Sequence, residues 1–314
     1  MKNCLRKILI PFLCVLLLHK CSLIEEDYTN CPDEPDDVSG ISFDFSGANT
    51  TICNVPDIVD LYIFDEEGIL HSIHLDNAID AVIDCSEMEP GTYQFVAWAW
   101  TGDKDAFYST SPTVAEIGET EIEELLLKLT ASGEIVNLPH LFYAYLEAEL
   151  ITGLEPFKLE LRQISNTVRV RIEGLPADDN SDYTLKIFDD NSAYEFADGS
   201  LINDANVVYA ADFEDVGNGV REASLTILQL RNNSAAEMIV YKDGITEISN
   251  DLVELILEVF AGNIFEQKCD YEIVFVQDPE NGWTLLTLEI NENDIDWIPV
   301  DVGNEDGGNN TILF

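Results

Sequence analysis

From residue 41 onward the chain alternates apolar and polar positions in short runs, the two-residue period of half-buried strands. Ile41-Ser42-Phe43-Asp44-Phe45 is the first such run. Ile58 to Asp65 and Ile69 to Leu75 flank Glu66-Glu67-Gly68, which predicts a hairpin with Gly68 supplying a positive φ at its turn. Ala81 to Cys85 and Thr92 to Trp100 flank a second turn signal, Glu89-Pro90-Gly91. In the later of these strands Tyr93, Phe95, Ala97 and Ala99 share one face, and Val96, Trp98 and Trp100 share the other. A strand apolar on both faces is expected to be central, or covered by a loop on its second face.

Glu119 to Leu129 fits a short helix or a strand equally. Leu146, Ala148 and Leu150 alternate with Glu147 and Glu149, which favours strand. The pattern restarts after Gly153-Leu154-Glu155-Pro156, the best boundary between domains. Beyond it Val168, Val170 and Ile172 against Arg169, Arg171 and Glu173 form the clearest strand of the chain. Further strands are expected at Tyr183–Phe188, Ala205–Ala210, Ala223–Leu230, Glu237–Tyr241, Leu252–Phe260, Asp270–Gln277 and Thr284–Ile290. Many short strands at this spacing predict an all-β fold of sandwich type. The length suits two domains.

The first twenty residues do not share the pattern. Lys2, Arg6 and Lys7 precede the apolar run Ile8 to Leu18. That run is far shorter than the roughly 20 residues a spanning helix needs, and it reads as a removable secretory signal. Cys21 follows directly, where bacterial lipoproteins carry the acylated cysteine that becomes the new N-terminus. Leu18 fits the position three before it, while His19 and Lys20 stand where small residues are usual. Glu25-Glu26-Asp27 follows closely and resembles the acidic export signal of surface lipoproteins in Bacteroidetes. The expected organisation is a signal at 1–20, a lipidated acidic tether at 21–37, and sandwich domains at 38–153 and 154–314.

Charge narrows the partners. Removing Lys2, Arg6, Lys7 and Lys20 from the 15 basic residues leaves 11 against 61 acidic ones, so the formal charge falls from −46 to −50. Such a surface repels phosphate backbones, and nucleic acid is excluded as a partner. With 46% hydrophobic residues the chain is not a disordered acidic polymer.

Candidate chemistry is sparse. Of seven cysteines, Cys4 and Cys14 lie in the signal and Cys21 is the lipidation candidate. Cys31, Cys53, Cys85 and Cys269 remain, with three possible connectivities in an oxidising compartment. Cys53 with Cys85 is the preferred disulfide because both fall in the first domain. His71 and His74, three apart on a strand, are expected on opposite faces, and His140 beside Pro139 is expected to be structural. Asp178-Asp179-Asn180-Ser181-Asp182 and Asn304-Glu305-Asp306 offer hard oxygen ligands but lack EF-hand spacing, so solvated loops are preferred to calcium sites. Trp98, Trp100, Trp283 and Trp297 suit either a sugar-stacking platform or a sandwich core, and the core is favoured. No catalytic motif is recognised, no enzyme activity is expected, and no cofactor or metal is assigned.

Several segments together resemble the FimB/Mfa-type fimbrial anchor family of Bacteroidales. They are Asn30-Cys31-Pro32, Val59 to Asp65 with Gly68, Pro90 to Trp98, Pro139 to Ala144, and Ile164 to Val170. The resemblance implies two transthyretin-like β-sandwich domains in tandem. It also implies an outer-membrane lipoprotein at the base of a fimbria, exposed at the cell surface. Such a protein would anchor the shaft, limit its length, and join the shaft subunits by strand addition. The alternative is a surface glycan-binding lipoprotein of a polysaccharide uptake system, which would need exposed tryptophans on one platform.

Overall fold

The computed structural model describes residues 40–44, 53–110, 115–130, 133–136, 138–151, 156–260, 264–278 and 282–290. The signal, Cys21, the tether, Cys31, the Gly153–Glu155 stretch, Trp297 and the acidic C-terminal segment lie outside the described residues.

The first half supplies β1 (Gly40–Asp44), β2 (Ile58–Phe64), β3 (Leu70–Ala78), β4 (Ile83–Asp84), β5 (Gly91–Trp100), β6 (Phe107–Thr110), β7 (Leu126–Leu129), β8 (Glu134–Ile135) and β9 (Leu141–Leu150). The second half begins with β10 (Phe157–Glu160), β11 (Arg162–Gln163), β12 (Ser165–Glu173), β13 (Tyr183–Glu195), β14 (Leu201–Asp212) and β15 (Glu214–Gly217). It continues with β16 (Val220–Leu228), β17 (Glu237–Lys242), β18 (Ile245–Asp251), β19 (Asp270–Asp278) and β20 (Gly282–Ile290). Two helices, α1 (Leu252–Val259) and α2 (Ile264–Gln267), join β18 to β19.

These strands build two stacked sandwiches. In the first lobe a sheet ordered β10-β1-β4 faces one ordered β11-β9-β5-β2-β3. In the second, β15-β16-β12-β19-β20 faces β18-β17-β13-β14-β8, the latter extended by β7 and β6. The fold is all-β, as the alternation predicts.

β5 is central and buried on both faces. Tyr93, Phe95, Ala97 and Ala99 join Ile41, Leu61, Phe142 and Leu159 in the core of the first sandwich. Val96, Trp98 and Trp100 point the other way, into a larger core that runs on through the second lobe. The expected two-faced strand is therefore the layer that both cores share. Gly68 adopts φ +80° at the β2–β3 turn, as expected.

Three local readings change. Leu252 to Phe260, expected as a strand, forms α1. The Asp251 carboxylate accepts the Glu254 N–H at 2.8 Å and caps it, and the buried Leu252, Val253, Leu255 and Ile256 follow helical spacing. Glu119 to Leu129 contains both alternatives, a 3₁₀ turn at Ile122–Glu124 followed by β7. A register shift between Ile63 and Phe64 interrupts the alternation along β3. His71 rests against Tyr93 at 5.4 Å, beside the first core, and His74 pairs with Leu61 of that same core.

Strand pairing also crosses the expected boundary at 153/154. β10 and β11 complete the sheets of the first lobe, β10 running parallel to β1 with Ile41 opposite Phe157. In exchange β7 pairs with β13 and β8 with β14, so residues before the boundary extend a sheet of the second lobe. A restart of the two-residue period marks a new run of strands, and it does not specify which sheet each run joins.

Two buried carboxylates carry consequences for stability. Asp60, 4% exposed, is held by the Lys104 ammonium at 2.8 Å and the Asp76 N–H at 2.7 Å. Lys104→Met is expected to cost about 3 kcal/mol in urea unfolding, because it strands a buried charge. The double variant Asp60→Asn/Lys104→Met should recover most of that loss.

Asp189 lies at the paired irregularities of β13, accepting from the Asn191 side-chain amide at 3.1 Å on both oxygens. Burial pushes its carboxyl up to about 6, outweighing the hydrogen bonds from Asn191 and Asp190. Its folded value exceeds the unfolded one, so this contribution to stability is fully present below about pH 4 and lost as pH rises through about 6. The difference amounts to about 3 kcal/mol. Asp189→Asn is expected to match the native chain at pH 4 and to exceed it by about 2–3 kcal/mol at pH 7.5. An unchanged gap between the two chains at both pH values would rule out this titration.

Candidate functional site

Residues 162–166 carry the chain from one lobe to the other. Arg162 and Gln163 pair with β9 of the first lobe, and Ser165 begins the pairing of β12 with β16 in the second. Gln163, Ser165 and Asn166 are buried here and need internal partners. The Gln163 carbonyl accepts the N–H groups of Cys53 and Asn54, both at 3.2 Å. The Ser165 hydroxyl accepts the Leu141 N–H at 3.0 Å. Asn166 accepts the Leu230 N–H at 2.7 Å and donates to the Lys268 carbonyl at 3.1 Å.

Aromatic rings pack beside this crossing. Trp98 lies 4.8 Å from Tyr143, 5.4 Å from Phe196 and 5.9 Å from Tyr194, centroid to centroid. The Tyr143 hydroxyl donates to the Phe196 carbonyl at 2.9 Å, and the Tyr194 hydroxyl donates to the Ile164 carbonyl. Burial pushes both phenols above their ordinary range, so they remain neutral donors. Gly199, at φ +67°, lets the turn after β13 approach so closely that a Cβ would sit 2.6 Å from the Tyr143 ring.

A disulfide joins the lobes at the same place. Cys53 bonds to Cys269, across 216 residues of sequence, and not to Cys85, which is a free thiol buried in the first core. The expected Cys53–Cys85 pair is thus corrected. Cys85 faces the interior of the first sandwich, whereas Cys53 leads toward β2 along the lobe junction, where Cys269 opens β19. Nearness in sequence gave no guide to this pairing.

His140 borders the junction, with Nδ1 3.5 Å from both the Gln163 amide nitrogen and the Ser165 hydroxyl. Burial lowers its pKa, with the Asp270 carboxylate pulling the other way. Cys53, Cys269 and Asp270 are the one group of potential metal ligands close together among the described residues, and two of the three are joined sulfurs. The Asp178–Asp182 loop is committed to the protein itself. Asp179 accepts from the Ser181 N–H, the Tyr183 hydroxyl and the Lys242 ammonium, at 2.9, 2.9 and 3.0 Å. Although burial pushes its carboxyl up, these partners hold it well below the usual carboxylate range.

Among the described residues the tryptophans do not form a platform. Trp98 and Trp100 are core residues, 0% and 2% exposed. Trp283 is half-buried, and its indole N–H donates to Glu247 at 3.1 Å, linking β20 to β18 where the two sheets of the second sandwich end.

The surface most suited to meeting another chain is the outer edge of β20. β19 occupies one side of this nine-residue strand, and among the described residues nothing pairs with the other. The segment Gly282–Ile290 carries neither lysine nor proline, the usual devices that blunt a sheet edge. Leu286 stands 47% exposed on it. The neighbouring β18 edge is shorter and more acidic, with Glu247 and Asp251, and exposes Ile245. Leu286 falls in a strand legible from the sequence and Ile245 does not, and neither strand was legible there as the end of a sheet.

Comparison with known proteins fits this architecture. A family model described as fimbrillin-A associated anchor proteins Mfa1 and Mfa2 matches residues 41–299. The fimbrial anchor protein Mfa2 of Porphyromonas gingivalis aligns with a TM-score of 0.60 at 23% identity, over 81% of this chain and 97% of that one. An adhesin candidate from Bacteroides thetaiotaomicron gives 0.65 at 19% identity, over 81% and 95%. A polysaccharide-binding candidate from the same species gives 0.65 at 17%, also over 81% and 95%. At these identities the structural likeness speaks for the fold alone. No curated protein matches the sequence.

Asn166 provides a direct test of the junction. Asn166→Ala leaves the Leu230 N–H without this partner and removes one of the donors to the Lys268 carbonyl, which keeps the Tyr271 hydroxyl, and is expected to cost about 2 kcal/mol. Urea unfolding followed by tryptophan fluorescence reads the loss, since Trp98 packs in the adjoining core.

Proposed function

The chain belongs to the family of fimbrillin-A associated anchor proteins, and on that premise we propose that it is the lipid-anchored base of a fimbria. Acyl chains on Cys21 hold it in the outer membrane, and a shaft subunit adds a strand to the outer edge of β20. The observation that carries the attachment is that open edge. A strand laid against β20 would satisfy the N–H and C=O groups that no described residue pairs, while side chains of alternate residues meet Leu286 and its neighbours.

The charge supports the lipid role. An acidic body is repelled by the anionic membrane surface, so attachment rests on acyl chains, each CH₂ contributing roughly 0.8 kcal/mol. A lipid end together with a single edge used for strand addition would make a unit that accepts a shaft subunit on one side only, which is how it would limit fimbrial length. The glycan-binding alternative loses its main support, because Trp98 and Trp100 are in the core and Trp283 is engaged with Glu247.

The test uses cells that carry the native chain, Cys21→Ala, Leu286→Lys or Ile245→Lys. Labelled palmitate should enter all but Cys21→Ala. Fimbriae should be shed into the medium by Cys21→Ala and Leu286→Lys and kept by Ile245→Lys. Fimbriae that stay cell-attached in Cys21→Ala would overturn the lipid anchor. Fimbriae kept by Leu286→Lys and shed by Ile245→Lys would move the joint to β18.

A further inference from the structure

We infer that the Cys53–Cys269 disulfide is a tension bypass, carrying pulling force between the membrane tether and the shaft-bearing sheet without passing it through the residues between them. The inference rests on the proposed anchoring at Cys21 and attachment at β20.

A fimbria under drag pulls its base away from the membrane. Force enters this chain from the tether, ahead of β1, and leaves through β20. Along the backbone alone the route between those points would include both sandwiches. The disulfide offers a shorter one. Cys53 lies ahead of β2, and Cys269 directly precedes β19, the strand bonded to β20 along its length. The Cα atoms of the two cysteines are 6.3 Å apart. The chain enclosed between them would stretch to about 750 Å if it unravelled, at about 3.5 Å per residue over the 216-residue separation.

The surroundings hold both ends of the bond to the crossing segment. Cys53 and Asn54 donate their N–H groups to Gln163. The Cys269 carbonyl accepts the Thr167 N–H at 2.7 Å, and Asn166 grips the preceding Lys268 carbonyl. Cys269 itself is 3% exposed while Cys53 is half-buried, so soluble thiols are kept from the Cys269 side of the bond. Noncovalent contacts at the junction break at a rate that rises with force, because forced unfolding is governed by the unfolding rate. A covalent bond in parallel takes the strain off them. The segment ahead of Cys53, including β1, stays in the path. If β1 peels from β10 and β4, extension halts at Cys53, and β2 to β18 remain folded behind the bond.

Single-molecule stretching of the full chain between handles at its mature N-terminus and its C-terminus tests this. The oxidised chain is expected to unravel only the segments outside the loop. The native chain with its disulfide reduced, and Cys53→Ser/Cys269→Ser, should each release about 750 Å more. An oxidised chain that extends as far as the reduced one would overturn the bypass. On cells, Cys53→Ser/Cys269→Ser with lipidation intact should keep fimbriae at rest and shed them at a shear that leaves native fimbriae attached. Equal retention at every shear would also overturn it. Failure of the anchor reading shows separately, as native fimbriae indifferent to Cys21→Ala, and leaves the stretching result standing on its own.

Discussion

Three side chains without water to bond, Gln163, Ser165 and Asn166, fix how the two lobes meet. A buried amide or hydroxyl left unpaired costs about 1–3 kcal/mol, so each demands a partner at a defined distance. Gln163 finds its partners at the entrance to β2, Ser165 at the start of β9, and Asn166 at both the end of β16 and the approach to β19. The Ser165 bond to Leu141 crosses from one lobe to the other, and the Gln163 and Asn166 bonds fix the two ends of the segment that joins them. The aromatic packing of Trp98, Tyr143, Tyr194 and Phe196 then supplies apolar burial around a geometry that the polar groups have already specified.

The shared sheet follows from the same constraint. β5 can be apolar on both faces because one core lies on each side of it. A molecule built this way presents few routes for deformation between its tethered end and its far end. That rigidity suits an anchor, whose task under the proposed reading is to hold still between two attachments. Under the same reading the high acidic charge keeps the body apart from a like-charged membrane.

Much of the fold was legible from alternation alone, and the exceptions have physical causes. β12 is readable because Val168, Val170 and Ile172 alternate with charged residues, and β5 because the Glu89-Pro90-Gly91 turn signal opens a run apolar on both faces. α1 was misread, although Asp251 and Glu254 stand at capping spacing, since a short apolar run has no period of its own to settle the choice. The disulfide was missed because sequence separation does not measure distance once lobes interleave. The β20 edge was legible as a strand and illegible as an edge, because pairing is decided by what does not arrive beside it. The expectation for Cys21 rests on its position behind the apolar run alone, and the residue lies outside the described residues.

The interleaving of the lobes also sets the order in which the molecule can be assembled. The Ser42 hydroxyl bonds the Phe157 carbonyl 115 residues later, and β7 and β8 wait for β13 and β14. Contacts this distant slow folding, since long loops must close before they are rewarded. For a chain exported as proposed, neither sandwich could be complete until strands of the second half had followed those of the first.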